Sequence, residues 1–211
     1  MRSRDGLTFT EQARREQIVT GAIEIIATGG YGSASIGKIA EHVGIAKSVV
    51  LYHFKTKSDI IAAAVAAVFT QAALLVAPAV AAETTAAGRL AAYIRSNACF
   101  VADNRTSAIA MLEIVTNFRS DQGLRFDEAA SASVQESPPT GDLALLDPTT
   151  IFVAGVDNGE FRSLSPLFMK NALRAALDGA VWEIARNPDY DVVGYGEELV
   201  TVFELATRAQ S

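Results

Sequence analysis

Hydrophobic positions recur at helical spacing along most of this chain, and runs that alternate at the spacing of a strand are rare. In the first segment Ile18, Ala22, Ile25 and Ile26 fall on one stripe, which predicts a helix over about 10–28. Thr8 and Glu11 stand at capping-box spacing ahead of it, with Thr10 as an alternative cap, and Gly29, Gly30 and Gly32 close it. Ser35 caps a second, short helix at 36–43, and a third covers 47–54. Thr56 and Asp59 repeat the capping pattern and open a long fourth helix at Lys57, which Pro78 should kink or end. Further helices are expected at about 86–102, 105–120, 148–158, 166–186 and 191–208. The stretch 121–146, with Gly123, several serines and Pro138-Pro139, reads as the most loop-like part. The expected fold is all-α, with about nine helices.

Residues 39–57, IAEHVGIAKSVVLYHFKTK, depart from a plain amphipathic pattern. Ile39, Val43, Ile45 and Val50 are spaced to bury one shared seam, Ala40 is small enough for two helices to cross closely, and Gly44 suits a turn of positive φ. This is the geometry of a helix-turn-helix, whose second helix enters the major groove of DNA. It divides the chain into a three-helix DNA-binding domain at 1–56 and a larger helical domain at 57–211. The fourth helix joins them without a flexible linker.

Charge supports that division. The net charge of −6 argues against a nucleic-acid partner until it is split. Residues 1–57 carry eight Lys/Arg against five Asp/Glu, a local +3, and the remainder carries −9. Cys99 is the one cysteine, so no intrachain disulfide is possible. The N-terminal residues lack the apolar core of a secretory signal. The apolar tract 60–82 is of membrane-spanning length but is largely alanine and contains Pro78, so a core helix is the expectation and the cytoplasm the expected compartment.

The segment AIEIIATGGYGSASIGKIAEHVGIAKSVVLYHFKTKSDII, residues 22–61, resembles the TetR family of bacterial transcriptional regulators. Ala22, Gly30, Ile39-Ala40, Gly44-Ile45, Tyr52-His53-Phe54 and Lys57 carry the likeness, and the GVDNGEFR segment at 155–162 adds a weaker one. The resemblance implies an all-α homodimer, usually a repressor, with a ligand cavity in its C-terminal body, and so assigns ligand binding and dimerisation to the domain at 57–211. Three positions differ from the common family pattern: Ala46 where Ser often caps the recognition helix, Leu51 where a Tyr is common, and Gly37 where some members carry a long side chain.

The DNA-facing candidates are Ser35, Lys38, Lys47, Ser48, Val49, Tyr52, His53, Lys55 and Lys57. Lys47, Ser48 and Val49 begin the recognition helix, where Lys can donate to guanine and Val can pack on a thymine methyl. Tyr52 and His53 can bond phosphates, although a half-buried His53 bracing the fourth helix is an equal reading. Arg2, Arg4, Arg14 and Arg15 form either a basic arm or solvated charge, and His42 reads as a surface residue.

In the body, Leu90, Tyr93, Ile94 and Val101 define an apolar face with Asn97 at its middle, where an amide must bond a ligand or a neighbouring group. The ligand-lining candidates are Tyr93, Asn97, Phe100, Met111, Val115, Phe118, Phe152 and Trp182, whereas Glu113 and Asn117 read as outer-face residues. The helix at 166–186 is apolar on two sides. One side should face the core. The other, with Phe168, Ala172, Ala175, Gly179 and Trp182, should pair with a second copy, together with Leu199, Val202 and Phe203 of the last helix.

Two histidines and one cysteine offer no metal cluster in the body, and no nucleophile elbow, P-loop or dinucleotide fingerprint is present, so neither enzyme nor cofactor is expected. The partners expected are a duplex DNA operator, a small lipophilic effector and a second copy of the chain, with no membrane. A constitutive DNA-binding regulator without an effector is the alternative.

Overall fold

The computed structural model describes residues 8–120 and 122–209. Arg2 and Arg4 of the suggested basic arm lie outside them. Helix α1, Phe9–Gly29, is capped by Thr8 rather than Thr10: the Thr8 hydroxyl accepts from the Glu11 amide, and the Glu11 carboxylate accepts from the Thr8 amide at 2.8 Å. Gly30, at φ +79°, ends it. After a 3-10 turn at Tyr31–Ser33 come α2, Ile36–His42, and α3, Lys47–His53.

Helix α4 covers Lys57–Ala81. A reciprocal pair opens it, the Thr56 amide on the Asp59 carboxylate at 2.9 Å and the Asp59 amide on the Thr56 hydroxyl at 3.1 Å. Pro78 lies inside this helix instead of ending it. It sits in the last turn, and the carbonyl deprived of its N–H partner belongs to Leu74, an exposed residue, so the loss is small. By length and hydropathy α4 is apolar enough to cross a membrane. Its Ile60, Ile61, Val76 and Val80 are buried in protein cores.

The chain continues through α5, Ala86–Asp103; α6, Arg105–Asn117; α7, Phe126–Glu136; a 3-10 stretch at Gly141–Leu146; α8, Thr149–Asp157; α9, Pro166–Arg186; and α10, Val192–Thr207. Helix α7 falls where the sequence reads as a loop. Its start is held by the Glu128 carboxylate, which accepts from the Arg125 amide at 2.7 Å, and Asp127 and Glu128 suit the positive end of the helix dipole. Its single large apolar anchor, Phe126, meets Phe118 edge-on at 6.1 Å. The serines mislead because they are compatible with an exposed helix; the Ser131 hydroxyl bonds back to the Asp127 carbonyl.

Two compact units result. The first comprises the described residues up to Val68 together with Thr106–Glu136. Its core joins Ile18, Ala22 and Ile26 of α1, Ile39 of α2, Val50 of α3 and Phe54 to Ile60 and Ile61 of α4 and Ala110 and Ile114 of α6. The unit thus extends past residue 56 because the apolar faces of α4 and α6 complete a core that α1 and the two short helices α2 and α3 do not close by themselves. The second unit holds Phe69–Arg105 and the residues from Ser137 onward. Its core is richer in aromatics, with Tyr93, Phe152, Phe161 and Phe203 among Ile94, Leu173, Leu177 and Leu199. Gly196 lets α10 close on α5, since a methyl there would lie 2.6 Å from the Ala98 side chain. Arg95 and Glu197 clamp the same two helices with a forked ion pair at 2.8–3.0 Å.

Candidate nucleic-acid interface

The turn between α2 and α3 is built from the inside outward. Ile39 and Val50 are fully buried, Gly44 takes φ +69°, and the Ile45 amide donates to the Ala40 carbonyl at 2.9 Å. Gln17 of α1 donates to the Val43 carbonyl at 3.1 Å, and any methyl on Gly21 would overlap the Val43 side chain. Gly21 was invisible in the sequence pattern except as a glycine inside a helix, a sign of close approach.

With that seam buried, α3 turns its other face outward. Lys47 and Ser48 are exposed at its first turn and Val49 is half-buried beside them. Ala46 occupies the N-cap position and supplies no side-chain bond, so the amides of that first turn lack a side-chain partner there. Lys38 and Lys55 are also exposed. The Ser35 hydroxyl accepts from the Lys38 amide at 3.2 Å, capping α2, and keeps its own proton to donate.

The C-terminal half of α3 is more tightly engaged. Tyr52 is 66% exposed, and its hydroxyl donates to Glu11 at 3.2 Å. His53 is half-buried, edge-on to Tyr52 at 5.0 Å; burial first, then the positive charge of Arg15, hold its pKa below the usual imidazole value. Arg15 donates to the His53 carbonyl at 2.5 Å and stacks over Phe54 at 4.1 Å. Its charge therefore faces the negative end of α3 and belongs to the framework rather than to a loose arm. Arg14 reaches Gln17, and His42 pairs with Glu24 at 2.6 Å on the surface. Lys57 turns inward: its ammonium donates to the Tyr31 carbonyl at 2.9 Å and lies over the Tyr31 ring, and burial lowers its pKa.

Tyr31 is held from α6 as well. Glu113, expected on an outer face, accepts from the Tyr31 amide at 3.2 Å and so ties α6 to the loop after α1, while Asn117, exposed as expected, donates to Glu113 at 3.0 Å. Phe118 meets the Tyr31 ring edge-on at 6.3 Å, which gives it a structural partner in the first unit. Met111 and Val115 are half-buried on the same helix.

The remaining body candidates fall in the second unit. Tyr93 is buried, and its hydroxyl donates to the Leu146 carbonyl at 3.0 Å. Asn97 donates to the Tyr93 carbonyl one turn back at 2.8 Å, the internal bond weighed against a ligand role. Phe100 is buried, and Phe152 lies wholly inside the core between Phe161 and Phe203. Among residues assigned to pairing, Phe168 is 68% exposed, and Ala175, Trp182 and Val202 are exposed too. Leu199 and Phe203 instead point into their own core, because they form the inward stripe of α10. Ala172 is half-buried, and Gly179 lies beside the Tyr195 hydroxyl of α10, which donates to the Ala176 carbonyl at 2.8 Å. Among the described residues no cluster of three or more His, Cys, Asp or Glu is placed to hold a metal ion.

Comparison with known proteins converges on this interface. Residues 18–64 match the model of the bacterial regulatory proteins of the tetR family. A curated relative, the fatty acid metabolism regulator protein of Bacillus subtilis (strain 168), is 40% identical over 45 residues; the match covers 21% of this chain and 23% of that protein, about a quarter of its length. The crystal structure of the transcriptional regulator FadR from Bacillus subtilis in complex with stearoyl-CoA superposes with a TM-score of 0.71 at 22% identity, covering 89% of this chain and 96% of that one. The fatty acid degradation regulator FadR from Bacillus halodurans gives 0.74 at 16% identity, over 93% of this chain and 97% of its own. At these identities the solved structures establish a shared fold, and the helix-turn-helix carries the family match. Residues 18–64 thus match the helix-turn-helix module of the tetR-family regulatory proteins, and the chain shares the fold of the solved FadR structures.

Proposed function

We propose that the protein is a cytoplasmic transcriptional regulator that binds a palindromic duplex operator as a homodimer and is released from it by a lipophilic small molecule. The outward face of α3 carries this reading: Lys47 and Ser48 stand exposed on a helix whose opposite face, at Val50, is fully buried. Side chains on such a helix reach base edges, and Ser35, Lys38, Tyr52, His53 and Lys55 around it supply donors for the phosphates that fix its register. Lys57 acts from behind, by holding the Tyr31 loop.

Two copies of the module must stand about 34–36 Å apart to occupy successive turns of one DNA face. The exposed apolar side chains of α9 and α10, Phe168, Trp182 and Val202 with Leu167 and Leu205, support pairing through these helices. An effector acts only if it prefers the conformer with the wrong spacing. The presence of stearoyl-CoA in the Bacillus subtilis FadR structure supports a long acyl chain as the effector class. In this reading the ligand lies against the aromatic-rich second unit, near Tyr93, Asn97, Phe100 and Trp182.

The test is a gel-shift assay on duplexes selected from a random library, repeated with added acyl-CoA of increasing chain length. The expected result is an inverted-repeat site, salt-sensitive retention, and release together with a raised melting temperature on addition of long-chain acyl-CoA. Retention that no acyl-CoA alters would leave DNA binding standing and remove the effector.

A further inference from the structure

We infer that Glu11 competes with the DNA backbone for the hydroxyl proton of Tyr52 and thereby sets the strength of DNA binding. The inference rests on the reading of α3 as the DNA-facing helix, with Tyr52 at its phosphate-facing edge.

The two oxygens of the Glu11 carboxylate have separate partners. Oε2 accepts from the Thr8 amide and from the Thr8 hydroxyl, both at 2.8 Å, and Oε1 accepts from the Tyr52 hydroxyl at 3.2 Å. The capping box therefore fixes the carboxylate so that its second oxygen points at Tyr52. A tyrosine has one proton to donate, and phosphate oxygens can only accept. In the free protein that proton is taken by Glu11, so a Tyr52–phosphate bond forms only by exchange of one anionic acceptor for another. Among the described residues, the titratable and charged groups around the pair are His53, whose ring is edge-on to Tyr52, and Arg14 and Arg15, whose charges act on His53 together with that of Glu11. Helix capping does not require the charge, because a glutamine closes a capping box as well as a glutamate. A negative charge at this position thus adds only its modest attraction to the helix dipole at the start of α1 and is consequential for a surface that meets phosphate.

The experiment measures duplex affinity of the full chain for four proteins: wild type, Glu11→Gln, Tyr52→Phe and the double variant, at two salt concentrations, with melting curves as a check on folding. Glu11→Gln has a single carbonyl oxygen: bonded to Thr8 it turns its NH2, a donor, toward Tyr52, and facing Tyr52 it offers only a neutral acceptor, about half as strong as a charge-assisted one. The expected result is roughly threefold tighter binding for Glu11→Gln at low salt, shrinking at high salt, with clearly less gain when Tyr52 is already Phe. Equal gains in both backgrounds would mean simple charge repulsion and overturn the competition. Unchanged or weaker binding by Glu11→Gln, with an unaltered melting curve, would overturn it as well. If Tyr52→Phe binds like wild type while Lys47→Ala binds weakly, the phosphate contact of Tyr52 and the competition with it both fall, and α3 as the DNA-facing helix survives.

Discussion

In α1–α3 the large apolar side chains Ile18, Ile26, Ile39, Val50 and Phe54 are buried, and apart from Phe9, Leu51 and Tyr52 the exposed positions are polar or small. In α9 and α10 the inward stripe of Met169, Leu173, Leu177, Leu199 and Phe203 is buried just as well, yet Leu167, Phe168, Trp182, Val202 and Leu205 remain outside. The first surface suits a wet, anionic partner read by hydrogen bonds; the second suits a partner that removes apolar area from water. Under the proposed function, the contrast separates recognition of DNA and assembly onto different helices.

The contrast can be broken experimentally at several strengths. The strongest test is of the core beneath the second surface: Phe152→Ala, which removes a fully buried ring, should destabilise the protein by about 3–5 kcal/mol in chemical denaturation. A cost near zero would mean that the aromatic-rich unit is not packed as described. Next, Trp182→Glu should convert the proposed dimer to single chains by light scattering, an interface loss of about 2 kcal/mol or more, with the melting curve of the monomer intact. Gly179, near Tyr195 within its own chain, is a poorer place to make that test.

On the DNA side, Lys47→Ala should weaken specific binding by about 1–3 kcal/mol and leave stability unchanged, because the side chain is exposed. Ala46→Ser should add the cap that α3 lacks and stabilise the first unit by about 0.5–2 kcal/mol. A smaller effect is expected from pH. Burial and Arg15 lower the pKa of His53, so the unfolded chain takes up a proton there before the folded one does. Stability should therefore be undiminished by this group above the ordinary imidazole value of 6.5 and should fall as pH drops below it; His53→Gln should remove that part of the acid sensitivity.

Much of the first unit was legible because its elements are announced locally. Thr8 with Glu11, Ser35, and Thr56 with Asp59 mark three helix starts, and Gly44 marks the turn, all from residues within three or four positions of one another. Lys57 and Arg15 were not legible as framework residues, since a cation over Tyr31 or Phe54 depends on contacts between segments far apart in sequence. The tie of Glu113 to the Tyr31 amide was hidden for the same reason, 82 positions separating the two. In α10, the stripe of Leu199, Val202 and Phe203 was visible, but periodicity alone could not say that Leu199 and Phe203 face inward while Val202 faces out. Helix α7 is not legible as a helix because its Ser and Ala residues give little large-apolar periodicity, whatever the helix propensity of Ala.

The most direct measurement of the central claim is a titration of duplex DNA selected from a random pool, with wild type and Lys47→Ala compared across salt concentrations. The account predicts two half-sites in inverted repeat, centred about 10 base pairs apart, bound in a salt-sensitive manner and markedly more weakly by Lys47→Ala. Wild-type protein that retains no duplex at low salt, or a Lys47→Ala variant that binds the selected site as tightly as wild type, would contradict it.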